Sequence, residues 1–464
     1  MAEETQVLVK FVTKLPISLR VPETPVAVPS TLRRYGLSQI INHLLALDPP
    51  RPFDFLVNGE LVRCSLEAHL LGHNLSAEST LQLEYVPAVV PPRHKHSTPH
   101  DDWVSSVDGS RGADASGEAA GSILSGSCDG LLRLWDADLH CTSSAQAHDG
   151  GVSCVRFLPK SQGDLLLTAG KDRTVKMWKL DDSASSGRCR LLAAYRGHSD
   201  GVECVAPSPS GRRFASCGWD GRLMVWETGR AVAEAAEVAA EGGEADAGVE
   251  CSKKKRKVAA ATTNDHAAPA ANGNDGGGSC LSISECSTEL NGHLHCVSAV
   301  CWAAEEALFS SGWDHSVRRW DVEAGVAADT HSGSKTVLAL ASHAACPQLL
   351  AFGCTDCALR IWDSRARAGG GGGGADAVAV TTQGSHGGWV TGVAWCPSSQ
   401  HHLATSSHDG SLKLWDLRAR VSLASLSHHT GKVLCVGWLG GGGGGLVSGG
   451  ADCQLRLYEG GAGL

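Results

Sequence analysis

Apolar and polar positions alternate in short runs over most of this chain, and the runs come in pairs around a tight turn. In SGSCDGLLRLWD, residues 125–136, small and apolar residues lead into Asp129 and a second run leads out of it to Trp135. The stretch TSSHDGSLKLWD at 405–416 repeats the arrangement, with Leu412, Leu414 and Trp415 set around Lys413. Period-two alternation on both sides of a turn predicts β-hairpins with the Asp carried in the turn. The spacing from Asp to aromatic is six in seven copies: Asp129/Trp135, Asp172/Trp178, Asp220/Trp226, Asp314/Trp320, Asp356/Trp362, Asp409/Trp415 and Asp452/Tyr458.

Each hairpin belongs to a longer unit. A Ser or Thr stands four residues before the Asp in six copies, as Ser125, Thr168, Ser216, Ser310, Thr405 and Ser448. Further upstream a His stands four residues before a Val: His100/Val104, His148/Val152, His198/Val202, His293/Val297, His386/Val390 and His429/Val433. His, Ser/Thr, Asp and Trp at a period of about 40 to 50 residues resemble the WD-repeat β-propeller family. The resemblance implies a mainly β fold, a seven-bladed propeller in which the four side chains of a repeat hydrogen-bond to one another and fix each blade. The expected networks are His148, Thr168, Asp172, Trp178; His198, Ser216, Asp220, Trp226; His293, Ser310, Asp314, Trp320; and His386, Thr405, Asp409, Trp415.

His, Ser and Asp within one unit also raise hydrolytic chemistry. That chemistry needs one activated nucleophile with an oxyanion hole, and no G-x-S-x-G elbow occurs. Six equivalent copies point to scaffold, so no enzyme and no cofactor is expected. The net charge of −9 gives no overall basic footprint for charge-driven nucleic-acid binding. The 18 cysteines stand mostly singly in strand positions; Cys354 and Cys357 form one C-x-x-C without a second pair or nearby His, so no zinc site is expected. Glu3, Glu4 and Lys10 interrupt any apolar leader, and no run approaches the roughly 18 apolar residues a membrane span requires. A soluble intracellular protein with reduced thiols is expected.

Residues 5–87 lie outside the repeat and predict a small α/β unit, similar to a ubiquitin-like fold. Strands are expected at Val7 to Thr13, Ile17 to Val21, and Leu81 to Tyr85, with a hairpin from Phe53 to Arg63 around Asn58-Gly59. Ser38 is expected to cap a helix carrying Ile40, Ile41, Leu44 and Leu45, stopped at Asp48-Pro49-Pro50. The propeller is then expected over 88–464. In that architecture the seventh blade lacks its outer strand at the C-terminus, so residues near 88–99 are expected to supply it and to leave no exposed sheet edge in the ring.

Departures from the repeat are visible. In the fifth copy Phe352 replaces the Ser/Thr and His331 lies six residues from Val337, so apolar packing without the polar network is expected there. Glycine runs at 369–374 and 440–445 read as solvent loops. An insertion at about 229–287, acidic first and then carrying Lys253, Lys254, Lys255, Arg256 and Lys257, has few side chains to bury and is expected to be disordered. Its five cations suit a nuclear-import peptide; a solvated charge run or a nonspecific RNA-touching loop is the alternative.

Residues 32–47 (LRRYGLSQIINHLLAL), 53–63 (FDFLVNGELVR) and 75–86 (LSAESTLQLEYV), followed by Pro91-Pro92 and HDDWVSSV at 100–107, resemble the ribosome-biogenesis WD-repeat family of the PeBoW complex, the Ytm family of fungi. The resemblance implies a role in pre-rRNA maturation and large (60S) subunit assembly on nucleolar pre-60S particles. It implies docking on the Bop/Erb propeller subunit, which also binds Pescadillo, and residence in nucleus, nucleolus and nucleoplasm. It further implies removal by the AAA-ATPase midasin, which grasps the ubiquitin-like domain through a Mg²⁺ that needs a carboxylate from its partner. Glu78, in the loop Leu75-Ser76-Ala77-Glu78, matches the family's ligand, and a hard cation selects such an oxygen donor. Two other readings stay open: a Notchless-type factor, which also joins a midasin-binding domain to a propeller, and a ubiquitin-ligase substrate receptor.

Overall fold

The computed structural model describes residues 6–72, 80–111, 122–159, 164–181, 188–229, 232, 281–343, 345–364, 379–419, 421–440 and 444–460. Glu78, the 253–257 cations, most of the 229–287 insertion and the 369–374 glycines lie outside them.

The described residues among the first 87 form one mixed sheet, two α-helices and a 3-10 turn. In chain order the strands and α-helices are β1 (Gln6–Val12), β2 (Val26–Pro29), α1 (Arg34–Leu45), β3 (Phe53–Val57), β4 (Glu60–Leu61), α2 (Leu66–Gly72) and β5 (Leu81–Pro87). The sheet order is β2-β1-β5-β3-β4, with β1 parallel to β5 and the other pairs antiparallel. Alternation places Val7, Val9 and Phe11 of β1 beside Leu81, Leu83 and Tyr85 of β5 on the buried face, where Leu37 and Ile41 of α1 close over them.

Three sequence expectations fail here, each for a local reason. Ile17 to Val21 is not a strand: Ile17–Leu19 is a 3-10 turn and the second strand is Val26–Pro29. The Tyr85 hydroxyl accepts from the Val21 N–H at 3.0 Å and donates to the Leu19 carbonyl at 2.7 Å, so these backbone groups serve a side chain. Pro22 and Pro25 offer no N–H to a ladder. Ser38 does not cap α1, which starts at Arg34; buried inside the helix, its Oγ accepts from the Phe53 N–H at 3.0 Å. The hairpin arm after Gly59 ends at Leu61, short of Arg63, and α2 follows it without having been expected.

Among the remaining described residues, seven further sheets follow one another. Their first strands are Val104–Arg111, Val152–Phe157, Val202–Pro207, Val297–Ala304, Val337–His343, Val390–Trp395 and Val433–Trp438. Each first strand packs against the next, and the seventh packs against the first. The sheets are also stitched across their boundaries by hydrogen bonds. Ser105, Ser298 and Thr391 hydroxyls donate to the carbonyls of Val152, Val337 and Val433 in the following sheet. Trp302, Trp395 and Trp438 indoles donate backwards to Ala206, Ala341 and Ala394, each at 3.0 Å. Gly353 and Gly449 are needed where the next valine arrives: an added Cβ would lie 2.5 Å from Val390 and 2.4 Å from Val104.

The seventh sheet takes its fourth strand from far upstream, since β6 (Arg93–Pro99) pairs antiparallel with Gln454–Glu459. The second sheet gains a fifth strand, Leu281–Ile283, parallel to Arg188–Arg196, before the chain passes to the outer strand of the third. The small sheet touches the sixth: the Leu61 N–H donates to the Arg418 carbonyl at 3.0 Å, and Leu56, Leu61 and Val86 pack on Ala419 and Leu423.

Candidate protein-docking face

The repeat residues meet as their spacing requires. The Asp turn brings its carboxylate back over the His that precedes the first strand, while the Ser/Thr and Trp face each other across the second and third strands. In the second sheet His148 Nδ1 lies 2.9 Å from Asp172 and Nε2 2.8 Å from Thr168 Oγ1, to which Trp178 Nε1–H donates at 3.1 Å. The third sheet repeats this with His198 to Asp220 at 2.9 Å and to Ser216 at 2.8 Å, and Trp226 to Ser216 at 2.9 Å. In the fourth, His293 reaches Asp314 at 2.9 Å and Ser310 at 2.7 Å, with Trp320 to Ser310 at 2.8 Å. In the sixth, His386 reaches Thr405 at 2.6 Å and Trp415 reaches Thr405 at 2.8 Å, while Asp409 stands off at 3.3 Å with the Ser411 hydroxyl beside it. His429 bonds Asp452 and Ser448 in the seventh.

A carboxylate only accepts, so Nδ1 carries the proton, Nε2 accepts from the hydroxyl, and the hydroxyl oxygen accepts from the indole. In the second, third, fourth and sixth sheets both ring nitrogens, the hydroxyl and the indole N–H are thereby used. The central hydroxyls are wholly buried, which leaves no approach for a substrate. Burial works to raise the Asp409 carboxyl, but bonds from the Ser411 hydroxyl and the Ser411 and Gly387 N–H groups, with the nearby His386 ring adding electrostatically, hold it at about 2. Burial pushes His386 down to about 4, so it stays neutral.

Two sheets differ. In the first, His100 and Trp135 both reach Ser125, but Asp129 turns to Arg133 at 2.9 Å and His100 Nδ1 has no hydrogen-bond partner. In the fifth, Phe352 is buried beside the rings of His331 and Trp362, and Asp356 pairs with Arg360. Among the described residues no group of three or more His, Cys, Asp or Glu is placed to hold a metal ion.

The surface above these networks carries what the sequence reading missed. Of the 13 tryptophans, nine are buried, and the four exposed ones share one end of the sheets. Trp103 and Trp389 immediately precede first-strand valines; Trp219 and Trp313 immediately precede turn aspartates. Backbone bonds fix the equivalence: the Cys128 N–H donates to the Trp103 carbonyl and the His408 N–H to that of Trp389, while Trp219 and Trp313 donate to Gly201 and Cys296. Trp103, Trp219, Trp313 and Trp389 are 49, 47, 45 and 48% exposed, and Leu294, beside Trp219 and Trp313, is 82% exposed. Trp219 and Trp313 are in ring contact at 5.3 Å, and Trp389 stacks on His408 at 5.4 Å. A signal was present: the position ahead of the Asp is Cys128, Lys171, Thr355, His408 or Ala451 elsewhere, and a large ring there has no interior to enter. Clustered exposed aromatics mark an interaction surface.

Comparison with known proteins agrees with this architecture. The NLE (NUC135) domain family matches residues 7–70. The WD domain, G-beta repeat family matches 93–136, 139–179, 189–227, 284–321, 378–416 and 420–459, passing over the fifth sheet where Phe352 replaces the hydroxyl. A "Ribosome biogenesis protein WDR12 homolog" of Chlamydomonas reinhardtii is 66% identical over 99% of both chains. One of the same description from Oryza sativa subsp. japonica is 38% identical, covering 98% of this chain and 97% of its own. "Ribosome biogenesis protein ytm1" of Emericella nidulans is 34% identical over 90% of this chain and 83% of its own. With both family matches in place and likeness running nearly end to end, the chain belongs to the WDR12/YTM1 family of ribosome biogenesis proteins.

Proposed function

We propose that this protein is a non-catalytic ribosome assembly factor that works by presenting two surfaces. Its seven repeat sheets are the blades of one seven-bladed propeller, and residues 5–87 form a ubiquitin-like domain, a reading supported by the β2-β1-β5-β3-β4 order and by cyclic packing of the first strands. The exposed tryptophan face is the observation that carries the docking role. Four large aromatic rings that each leave nearly half their surface in solvent at one end of the sheets cost solubility, which favours their serving a partner.

The partner of that face is the Bop/Erb propeller subunit, joined with Pescadillo in a PeBoW complex acting on pre-60S particles in the nucleolus and nucleoplasm. The small domain is the handle for midasin, with Glu78 as the carboxylate that completes its Mg²⁺ site, and Lys253 to Lys257 direct nuclear import. The family membership and the relatives' descriptions as ribosome biogenesis proteins support this reading.

The test is quantitative recovery of partners on the tagged full-length chain. Substituting Trp103, Trp219, Trp313 and Trp389 by Ala is expected to remove the Bop/Erb subunit and Pescadillo while midasin recovery persists; Glu78→Asp is expected to do the reverse. Recovery of cullin subunits instead supports the ligase-receptor reading.

A further inference from the structure

The tryptophan face is not uniform. Between the third and fourth repeat sheets it opens into a cleft of about 540 Å³, walled by Trp219 and Trp313, with Leu294, His295 and His315 exposed around it and the Cys296 thiol buried at its base. The two indole rings meet at 54°, so they form a corner rather than a stack, and each keeps nearly half its surface in water.

The corner is acidic. Glu203, on the first strand of the third sheet, accepts the Trp219 Nε1–H with one carboxylate oxygen and stands at the inner edge of the cleft, where it also lines the cavity between the first strands. Asp200 is exposed on the loop just ahead of that strand, and Asp220 lies in the adjoining turn. The Cys296 thiol registers this field: burial first, then the negative charges of Glu203, Asp220 and Asp200, push it up to about 12.

An aromatic corner with a carboxylate beside it is selective in chemical terms. An indole face attracts a cation through its quadrupole, more strongly than any other side chain. A guanidinium is planar and weakly hydrated, so it can lie on an indole and still donate paired N–H groups to a carboxylate. An ammonium holds its water and has no plane to stack.

We propose that this cleft receives a single arginine side chain from a protein partner, its guanidinium resting on the Trp219–Trp313 corner and paired with Glu203. The inference rests on the docking reading above and specifies the chemistry of one part of that face.

The experiment uses the full chain with ¹⁵N-labelled indoles, resonances being assigned by Trp219→Phe and Trp313→Phe. N-acetyl-arginine methylamide is the probe, with the lysine and citrulline analogues beside it. Saturable shifts of the Trp219 and Trp313 indole N–H signals are expected with the arginine probe, a several-fold weaker response with lysine, and none with the uncharged citrulline. Glu203→Gln keeps the acceptor for Trp219 and removes the charge, so it is expected to weaken the arginine probe by roughly tenfold, as for loss of one charged hydrogen bond. Equal shifts from citrulline, or unchanged affinity in Glu203→Gln, overturn the proposal. Trp103→Ala and Trp389→Ala lie outside the cleft and separate the two readings. If they release the partner while arginine does not bind, the docking face stands and the arginine cleft falls. If arginine binds and none of the four Trp→Ala variants releases any protein, the cleft chemistry stands and the docking reading falls.

Discussion

At the scale of single residues, six of the seven repeat sheets each hang on one small hydroxyl. Thr405 has no solvent exposure, donates to His386, and accepts from Trp415. Thr405→Val keeps the shape and leaves two buried polar groups unpaired, so a loss of about 2–4 kcal/mol is expected, read as a fall in the midpoint of urea unfolding. The histidines set the acid response. His100 and His386 have folded values of about 4, below the 6.5 of an exposed ring, so the unfolded chain binds more protons between those limits. Stability therefore rises with pH through that window and falls as the medium is acidified from 6.5 towards 4. A second loss follows between about 3.8 and 2, where Asp409 is protonated only after unfolding. Thermal midpoints measured from pH 7.5 to 4.5 are expected to fall steadily, and less steeply in His386→Gln; a flat profile would show that these rings titrate normally in the fold.

Elements repeat faithfully where a short spacing rule dictates them and depart from expectation where distant residues intervene. The hairpins were legible because alternation, a turn residue and a fixed count of six all act within one hairpin. The closing strand was legible by counting: β6 at Arg93–Pro99 completes the sheet whose last strand is Gln454–Glu459. Deleting 93–99 bares that strand, and aggregation together with loss of a single cooperative melt is expected, followed by light scattering during heating. The small domain was harder to read. Its second strand was displaced by Tyr85, 64 residues from Val21, and α2 is a seven-residue helix whose first N–H groups bond Leu32 and Ser30 carbonyls. No local pattern announces either. Ser38 shows the same limit, for a serine ahead of an apolar run is what a cap looks like. Ser38→Ala is expected to cost about 1–3 kcal/mol and to speed amide exchange at Phe53, which a cap at that position could not do.

Across the whole molecule, register decides which surfaces are free together. In the sixth sheet the pairing of His402 with Asp416 places Arg418 at the end of the hairpin away from Asp409 and Trp389. The small domain, held there by the Leu61–Arg418 bond and the Leu56, Leu61, Val86, Ala419 and Leu423 cluster, leaves the tryptophan face uncovered. Such a face was beyond the sequence because alternation says which residues share a side of a strand, whereas exposure at a strand end depends on what the neighbouring loops bring. Among the described residues this interdomain contact rests on one backbone bond and a cluster of five side chains, and contacts of that kind within a chain are readily opened. Ala419 is 4% exposed at its centre, so Ala419→Glu buries a carboxylate against Leu56 and Leu61 and should part the domains without unfolding either. A larger radius of gyration by X-ray scattering and faster relaxation confined to residues 6–72 and 80–87 are expected, with the Trp219 and Trp313 indole signals unmoved. If those indole signals shifted as well, the two ends of the molecule would be coupled, and a pull on the small domain could loosen the partner held on the opposite face.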